Sequence, residues 1–226
     1  MFPTIIFAAG FGTRMGTLTQ DTPKPLLKLQ NDTLIDHAIN HARHLNSASI
    51  SVNAHYLADK IVHYFRDTDV SVFVEKDTIL DTGGGLKRIS SEMGFETVFT
   101  MNSDTLWTGK NPLSILWQNW QPEEMDALLL CVAPENAIGR TSETGDFSID
   151  SDGYISRRGR YTYASCQIIK SDFVTQFEET VFSLNSVWDE LIQKRRAKGV
   201  IYPDPWIDIG TNRAFEQAKK NSYDIR

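Results

Sequence analysis

Between Phe7 and Leu29 the chain reads FAAGFGTRMGTLTQDTPKPLLKL, in which Gly10, Gly12 and Gly16 are followed or flanked by the cations Arg14 and Lys24. A glycine-bearing turn after a strand lets backbone N–H groups approach phosphate oxygens, and cations beside it favour a bound anion. The spacing is G-x-G-x-x-x-G, not the dinucleotide fingerprint G-x-G-x-x-G. The second strand ends in Asn53 instead of an acid that could hold a ribose, and no G-x-x-x-x-G-K-[ST] loop is present. Lys24 lies between Pro23 and Pro25, whose restricted φ sets the direction of the lysine. Asp104 and Asp208 each end a short apolar run, VFTMNS and PWI. Either alone would serve as a helix N-cap. Two carboxylates facing one crevice would suit Mg²⁺, which takes hard oxygen ligands and shares them with substrate phosphates.

The elements that must position these residues alternate between apolar runs and helical patterns. Strands are expected over 4–9, 48–54, 70–75, 96–104 and 125–133. Helices are expected over 34–45, capped by Asp32, then over 57–65, 85–93 and 112–120. Such alternation gives an α/β fold: a mainly parallel, Rossmann-like sheet flanked by helices, with ligands bound at the carboxyl ends of the strands. The stretch 145–169 alternates with period two around Asp152-Gly153 and reads as an inserted β-hairpin region. A helix over 185–198, one or two strands around VIYPDPWIDIG and a helix over 211–220 close the chain. No repeat or linker interrupts it, so residues 1–226 are expected to form one domain.

Composition narrows the partners. With 23 Lys+Arg against 29 Asp+Glu the net charge is −6, which disfavours a nucleic-acid backbone as a general partner. Cys131 and Cys166 sit in apolar strand contexts, without metal-ligand spacing, and read as buried reduced thiols. No apolar run reaches the ~18 residues of a membrane span, and the N-terminus lacks the basic start of a signal peptide. The expectation is a soluble cytoplasmic protein of open oligomeric state. His37, His41 and His44 recur on one helix and read as an exposed face. His55 and Glu75 end strands where a nucleotide would lie, and the cations of KRR (194–196) read as a solvated helix end.

The stretch AAGFGTRMGTLTQDTPKPLLKL resembles the signature of the sugar-1-phosphate nucleotidyltransferases, and the resemblance extends over nearly the whole chain. NSD (102–104) and WIDIGT (206–211) resemble the family's two acidic strand ends, which implies Asp104 and Asp208 as ligands of a catalytic Mg²⁺. DTGGG (81–85) resembles the turn that approaches the nucleobase. NAHYLADKI, DTGGGLK, NSDTLW, GDFSID and FSLNSVWDELI are most similar to the N-acetylmuramate 1-phosphate uridylyltransferase branch, used in peptidoglycan recycling. Thr17 stands where the family has Pro, and Ser103 and Ser165 stand where it has Gly.

The resemblance implies that a nucleoside triphosphate, UTP in that branch, and a sugar 1-phosphate meet at this site and that pyrophosphate leaves. Arg14 and Lys24 would be catalytic. Ala9, Gly10, Gly12, Thr13, Asn53, Glu75 and Gly83 would contact the nucleotide. Asn102, Asp146 and Arg158 would contact the sugar, with Arg157, Arg158 or Arg160 meeting its lactyl carboxylate. Two alternatives stay open here: another hexose 1-phosphate with GTP, UTP or dTTP, and a non-catalytic nucleotide-sugar sensor.

Overall fold

The computed structural model describes residues 1–140 and 144–221. The first half runs β1 (Thr4–Phe7), β2 (Lys28–Leu29), β3 (Asp32–Thr33), α1 (Leu34–His44), β4 (Ile50–Ala54), α2 (Ala58–Phe65), β5 (Val70–Val74), α3 (Asp81–Met93), β6 (Thr97–Asn102), β7 (Thr105–Trp107) and α4 (Pro112–Asn119). The second half runs β8 (Ala127–Val132), β9 (Ala137–Ile138), β10 (Gly145–Ile149), β11 (Ile155–Gly159), β12 (Thr162–Lys170), α5 (Ser171–Thr175), α6 (Leu184–Gln193), β13 (Ala197–Tyr202), β14 (Trp206–Asp208) and α7 (Asn212–Lys220).

Seven strands form the central sheet in the order β13-β8-β12-β6-β1-β4-β5. Its pairings are parallel except those of β12, which runs antiparallel to both β6 and β8. Both faces are covered, and the strand sequences show why. Successive side chains of a strand point to opposite faces, so a strand buried on both sides must be apolar throughout. Ile6 enters the core beneath α1, α2 and α4, while its neighbour Ile5 enters the core beneath α3 and α6. In β8, Leu128, Leu130 and Val132 serve the first core, and Ala127, Leu129 and Cys131 the second. Both cysteines are buried and free, as their contexts imply, and burial pushes their thiols well above the ordinary range.

Several boundaries differ from the sequence expectation. Helix α1 is capped by Thr33 instead of Asp32: the Thr33 hydroxyl accepts from the Asp36 amide, and Asp36 reaches back to the Thr33 N–H in a capping box. Its histidine stripe is not an exposed face. His37 and His41 are buried, with His41 edge-on to Trp107, and only His44 is exposed. Helix α3 starts at Asp81, four residues before the expected Gly85, so the three glycines form its first turns. They are tolerated there because neighbouring chain approaches closely: a Cβ at Gly84 would lie 2.2 Å from the Thr180 carbonyl oxygen. The hairpin ends at Gly159, and Thr162–Lys170 becomes a central strand. The helix expected to reach Lys198 stops at Gln193, because Ala197–Tyr202 forms the edge strand beside β8. Arg196 is not solvated as expected but joined to Asp126 at 2.8 Å.

A second, three-stranded sheet, β7-β14-β9, was not foreseen. It joins Thr105 to Asp208 in register and carries the Ile209 N–H to the Asp104 carbonyl at 3.0 Å. A third apolar cluster, including Met15, Leu29, Leu106, Ile207 and Phe215, lies between this sheet, α7 and the glycine-bearing segment. No helix among the described residues is long and apolar enough to cross a membrane.

Candidate active site

Parallel strands that start together also end together. Phe7 pairs with Asn53 on one side and with Asn102 on the other, so the ends of β1, β4 and β6 open on one crevice. Ser103, where the resembling family has Gly, fastens this edge: its Oγ donates to the Phe7 carbonyl at 2.7 Å.

The loop after β1 turns through Gly12 (φ 64°) and continues as a tight helical segment, Thr13–Thr19, kinked at Gly16 (φ 60°). Both angles lie in the left-handed region that glycine adopts without steric cost. Thr17, the departure from Pro, follows the kink and is exposed. Buried Met15 pins the segment from below. The Pro-Lys-Pro stretch does what its prolines imply. Pro23 is extended, a short tight helix begins at Lys24, and the Lys24 Nζ donates to Asp104 Oδ2 at 2.6 Å.

Two adjoining cavities result. The first, about 410 Å³, is lined by the loop from Ala9 to Arg14, by Lys24, Asn53, Asp81, Thr82, Asn102 and Asp104, and by Gly210. The second, about 360 Å³, is lined by Arg140, Asp146, Arg157, Tyr163, Ser165, Asn185, Trp188 and Asp208, among others. Arg14, Asp81, Thr82, Asn102 and Asp104 line both. Lys24, Asp104, Arg14 and Asp208 therefore converge where the two cavities meet.

The electrostatics of this junction are unbalanced. Burial, and then the charge of Asp104, raise the Asp208 carboxyl above its ordinary value; Lys24, Arg14 and Arg140 only partly oppose this. Two carboxylates that repel each other at a cleft are a fitting pair of hard ligands for Mg²⁺. No cluster of three or more His, Cys, Asp or Glu exists among the described residues, so phosphate and water oxygens would complete the shell.

Of the sequence candidates, Ala9, Gly10, Gly12, Thr13, Arg14, Lys24, Asn53, Asn102 and Asp104 line the first cavity, and Asp146 and Asp208 line the second. Five candidates line neither: Glu75, Gly83, Arg158, His55 and Arg160. Glu75 is buried behind Asn53, with Oε1 accepting from Asn53 Nδ2 and Oε2 from the Leu80 N–H, each at 2.8 Å. Gly83 faces away, where a Cβ would lie 2.5 Å from the Phe182 ring. Arg158 is exposed with φ 62°. His55 also stands back, bonded to the Glu75 carbonyl and edge-on to Phe11.

The basic run sends a different arginine inward. Arg157 lies over Phe147 and Trp188, donates to Asp189 at 2.6 Å and to Asn185 Oδ1 at 3.0 Å, and lines the second cavity. Arg160 instead pairs with Glu135. Arg140 was missed. It donates to Asp146 at 2.6 Å, and only the pairing of β9 with β14 brings it beside Asp208; no local motif marks it. Ser165, the other Gly departure, has φ 57° within an irregularity of β12, which explains a glycine preference at that position.

Residues 4–144 match the description of the MobA-like NTP transferase domain. The chain belongs to that family. Full-length relatives of this MobA-like chain include the N-acetylmuramate alpha-1-phosphate uridylyltransferase of Caulobacter vibrioides, 28% identical over 93% of this chain and 92% of that protein. Another is the D-glycero-alpha-D-manno-heptose 1-phosphate guanylyltransferase of Campylobacter jejuni, 22% identical over 91% and 93%. The fold of HddC from Yersinia pseudotuberculosis, solved with GMP-PN, superposes with a TM-score of 0.77 at 18% identity, over 97% of this chain and 99% of that one. The family and these relatives make the MobA-like chain an enzyme of nucleotidyl transfer, on the nucleotide-diphospho-sugar transferase fold.

Proposed function

We propose that this nucleotidyltransferase acts on a sugar 1-phosphate, that its preferred pair is UTP and N-acetylmuramate 1-phosphate, and that it serves peptidoglycan recycling. The observation that carries the reading is the convergence of Lys24, Arg14, Asp104 and Asp208 between two adjoining cavities. One cavity suits the triphosphate and the other the sugar. The choice of sugar and base draws on the two full-length uridylyltransferase relatives, from Caulobacter vibrioides and Neisseria meningitidis, the latter 25% identical over 95% of this chain.

In this reaction a phosphate oxygen of the sugar 1-phosphate attacks the α-phosphorus of the triphosphate, and pyrophosphate leaves in line. The nucleophile is already anionic and needs no strong base. The difficulty is bringing several negative charges together, so positioning and charge stabilisation carry the catalysis. In this reading the N–H groups from Gly10 to Thr13 and the Arg14 guanidinium hold the β- and γ-phosphates. Lys24, whose direction the prolines set, holds the α-phosphate against the incoming sugar phosphate. Asp104 and Asp208 would hold Mg²⁺, which when bound supplies charge neutralisation and alignment at the α-phosphate. In the second cavity Arg140 and, of the three arginines expected there, Arg157 are the cations available to a lactyl carboxylate.

The test is pyrophosphate release with each of the four common ribonucleoside triphosphates and dTTP against a panel of sugar 1-phosphates. UTP with N-acetylmuramate 1-phosphate should give the highest kcat/KM. Preference for glucose or mannose 1-phosphate would overturn the choice of sugar and keep the reaction class. No release with any pair would overturn the class.

A further inference from the structure

The buried Glu75 carboxylate lines neither of the two cavities, yet it ties together three segments that build the first one. Its Oε1 accepts from Asn53 Nδ2 at 2.8 Å, and Asn53 Oδ1 accepts from the Ala8 N–H, also at 2.8 Å. Ala8 leads directly into the glycine-bearing loop. The other oxygen, Oε2, accepts from the Leu80 N–H at 2.8 Å, at the residue that caps α3 and presents Asp81 and Thr82 to the cavity. The Glu75 N–H donates to the Ala54 carbonyl at 2.7 Å, and its own carbonyl meets His55 Nδ1 at 2.6 Å. Room for this arrangement depends on Gly85, where a Cβ would lie 2.9 Å from Asn53 Nδ2 and 3.1 Å from Glu75 Oε1.

We propose that Glu75 is a positioning residue for the triphosphate. Acting through Asn53 and Leu80, it sets both lips of the first cavity, the loop after β1 and the start of α3. The inference rests on the reading that the first cavity holds the triphosphate. Its chemistry is strict, because both Glu75 oxygens must accept. A carboxylate offers acceptors only, whereas a carboxamide offers one acceptor and one donor group. Glu75→Gln therefore sets an NH₂ against a second donor, either Asn53 Nδ2 or the Leu80 N–H. Asn53→Asp sets two carboxylates together. The double variant restores all three bonds, with only the one between positions 53 and 75 reversed in polarity. The aspartate introduced at 53 accepts from the Ala8 N–H and from the glutamine introduced at 75, whose oxygen accepts from the Leu80 N–H.

The experiment is a double-mutant cycle read in two ways, by melting temperature and by steady-state kinetics. Glu75→Gln and Asn53→Asp should each lower the melting temperature and raise KM for the triphosphate roughly 10-fold. KM for the sugar 1-phosphate should stay within about twofold, and preference among triphosphates should be unchanged. The double variant should return both readouts to within about threefold of wild type in KM and most of the way in melting temperature. Gly85→Ala, which presses on the same bond from outside, should raise the same KM.

A double variant no better than the worse single one overturns the relay. Thermal rescue without any change of triphosphate KM in the single variants overturns its service to the cavity. Altered preference among triphosphates would mean that Glu75 touches the base, and would also overturn the proposal. Failure of the wild-type chain to release pyrophosphate with any triphosphate would instead remove the functional reading beneath it, while the melting temperatures would still report on the bonds.

Discussion

Lys24→Met tests the junction most directly, because methionine keeps the length of the buried stem and removes only the charge. Lys24 is 7% exposed, and its Nζ lies 2.6 Å from Asp104 Oδ2. A unit charge at that spacing, with an effective dielectric of ~20, gives a gross interaction of about 6 kcal/mol. A phosphate oxygen gathering charge in the transition state would meet the ammonium at similar range. Water entering the vacated space would recover about half, leaving about 3 kcal/mol, or roughly a 150-fold loss of kcat. The loss should fall mainly on kcat, because the loop amides and Arg14 still bind the triphosphate. A coupled pyrophosphate assay at saturating substrates reads this, beside a far-ultraviolet spectrum showing that the variant is folded. A folded variant retaining more than about a third of wild-type kcat would refute the assignment of Lys24 to the reacting phosphates.

Three further outcomes follow from the site and the core. Asp208 is raised by burial and by Asp104, so its ionised form destabilises the metal-free fold as pH rises through the folded value. Asp208→Asn should therefore melt higher than wild type in chelator at neutral pH, lose at least ~10²-fold in activity and gain no stability from added Mg²⁺; a lower melting temperature would contradict the electrostatic account. Arg157→Ala should raise KM for the sugar 1-phosphate roughly 10-fold and leave that of the triphosphate within twofold, since its contacts build only the second cavity; equal effects on both constants would contradict this. His41 is pulled down to about 4 by burial and then by the charges of His37 and His44, so the unfolded chain binds the proton first as pH falls. Denaturant titrations should show about 3 kcal/mol of stability, present above pH ~6.5, lost between there and pH ~4, and His41→Leu should flatten that slope; an equal slope in the variant would contradict it.

The sequence carried the junction better than it carried the walls. Arg14, Lys24 and Asp104 follow strands whose apolar runs are unambiguous, and the prolines around Lys24 act locally, so their positions could be read along the chain. Arg140 could not be read, because it reaches Asp208 only through the pairing of two-residue β9 with β14, which no local pattern records. Arg158 was favoured over Arg157 because the inward choice depends on a positive φ at 158 and on Trp188 and Asp189, contributed by a distant helix. Glu75 was placed at the nucleotide from its strand-end position and Gly83 from the family resemblance of DTGGG, yet burial turns one toward Asn53 and the other toward Phe182. The histidine stripe of α1 misled for a related reason: His is polar enough to suggest solvent, and the shape that accepts His41 is set by Trp107.

Strand β1 lies between two parallel neighbours, β4 and β6, with sheet bonds on both edges and a packed layer on each face. Its amides at Ile5 and Ile6 should then be among the slowest in the molecule to exchange with deuterated water, opening only when the whole domain does. The glycine-bearing loop leaves directly from that strand. The glycine backbone that would wrap an anion is thus mounted on the part of the chain that gives way last, and thermal loosening elsewhere can run far before the origin of the loop moves.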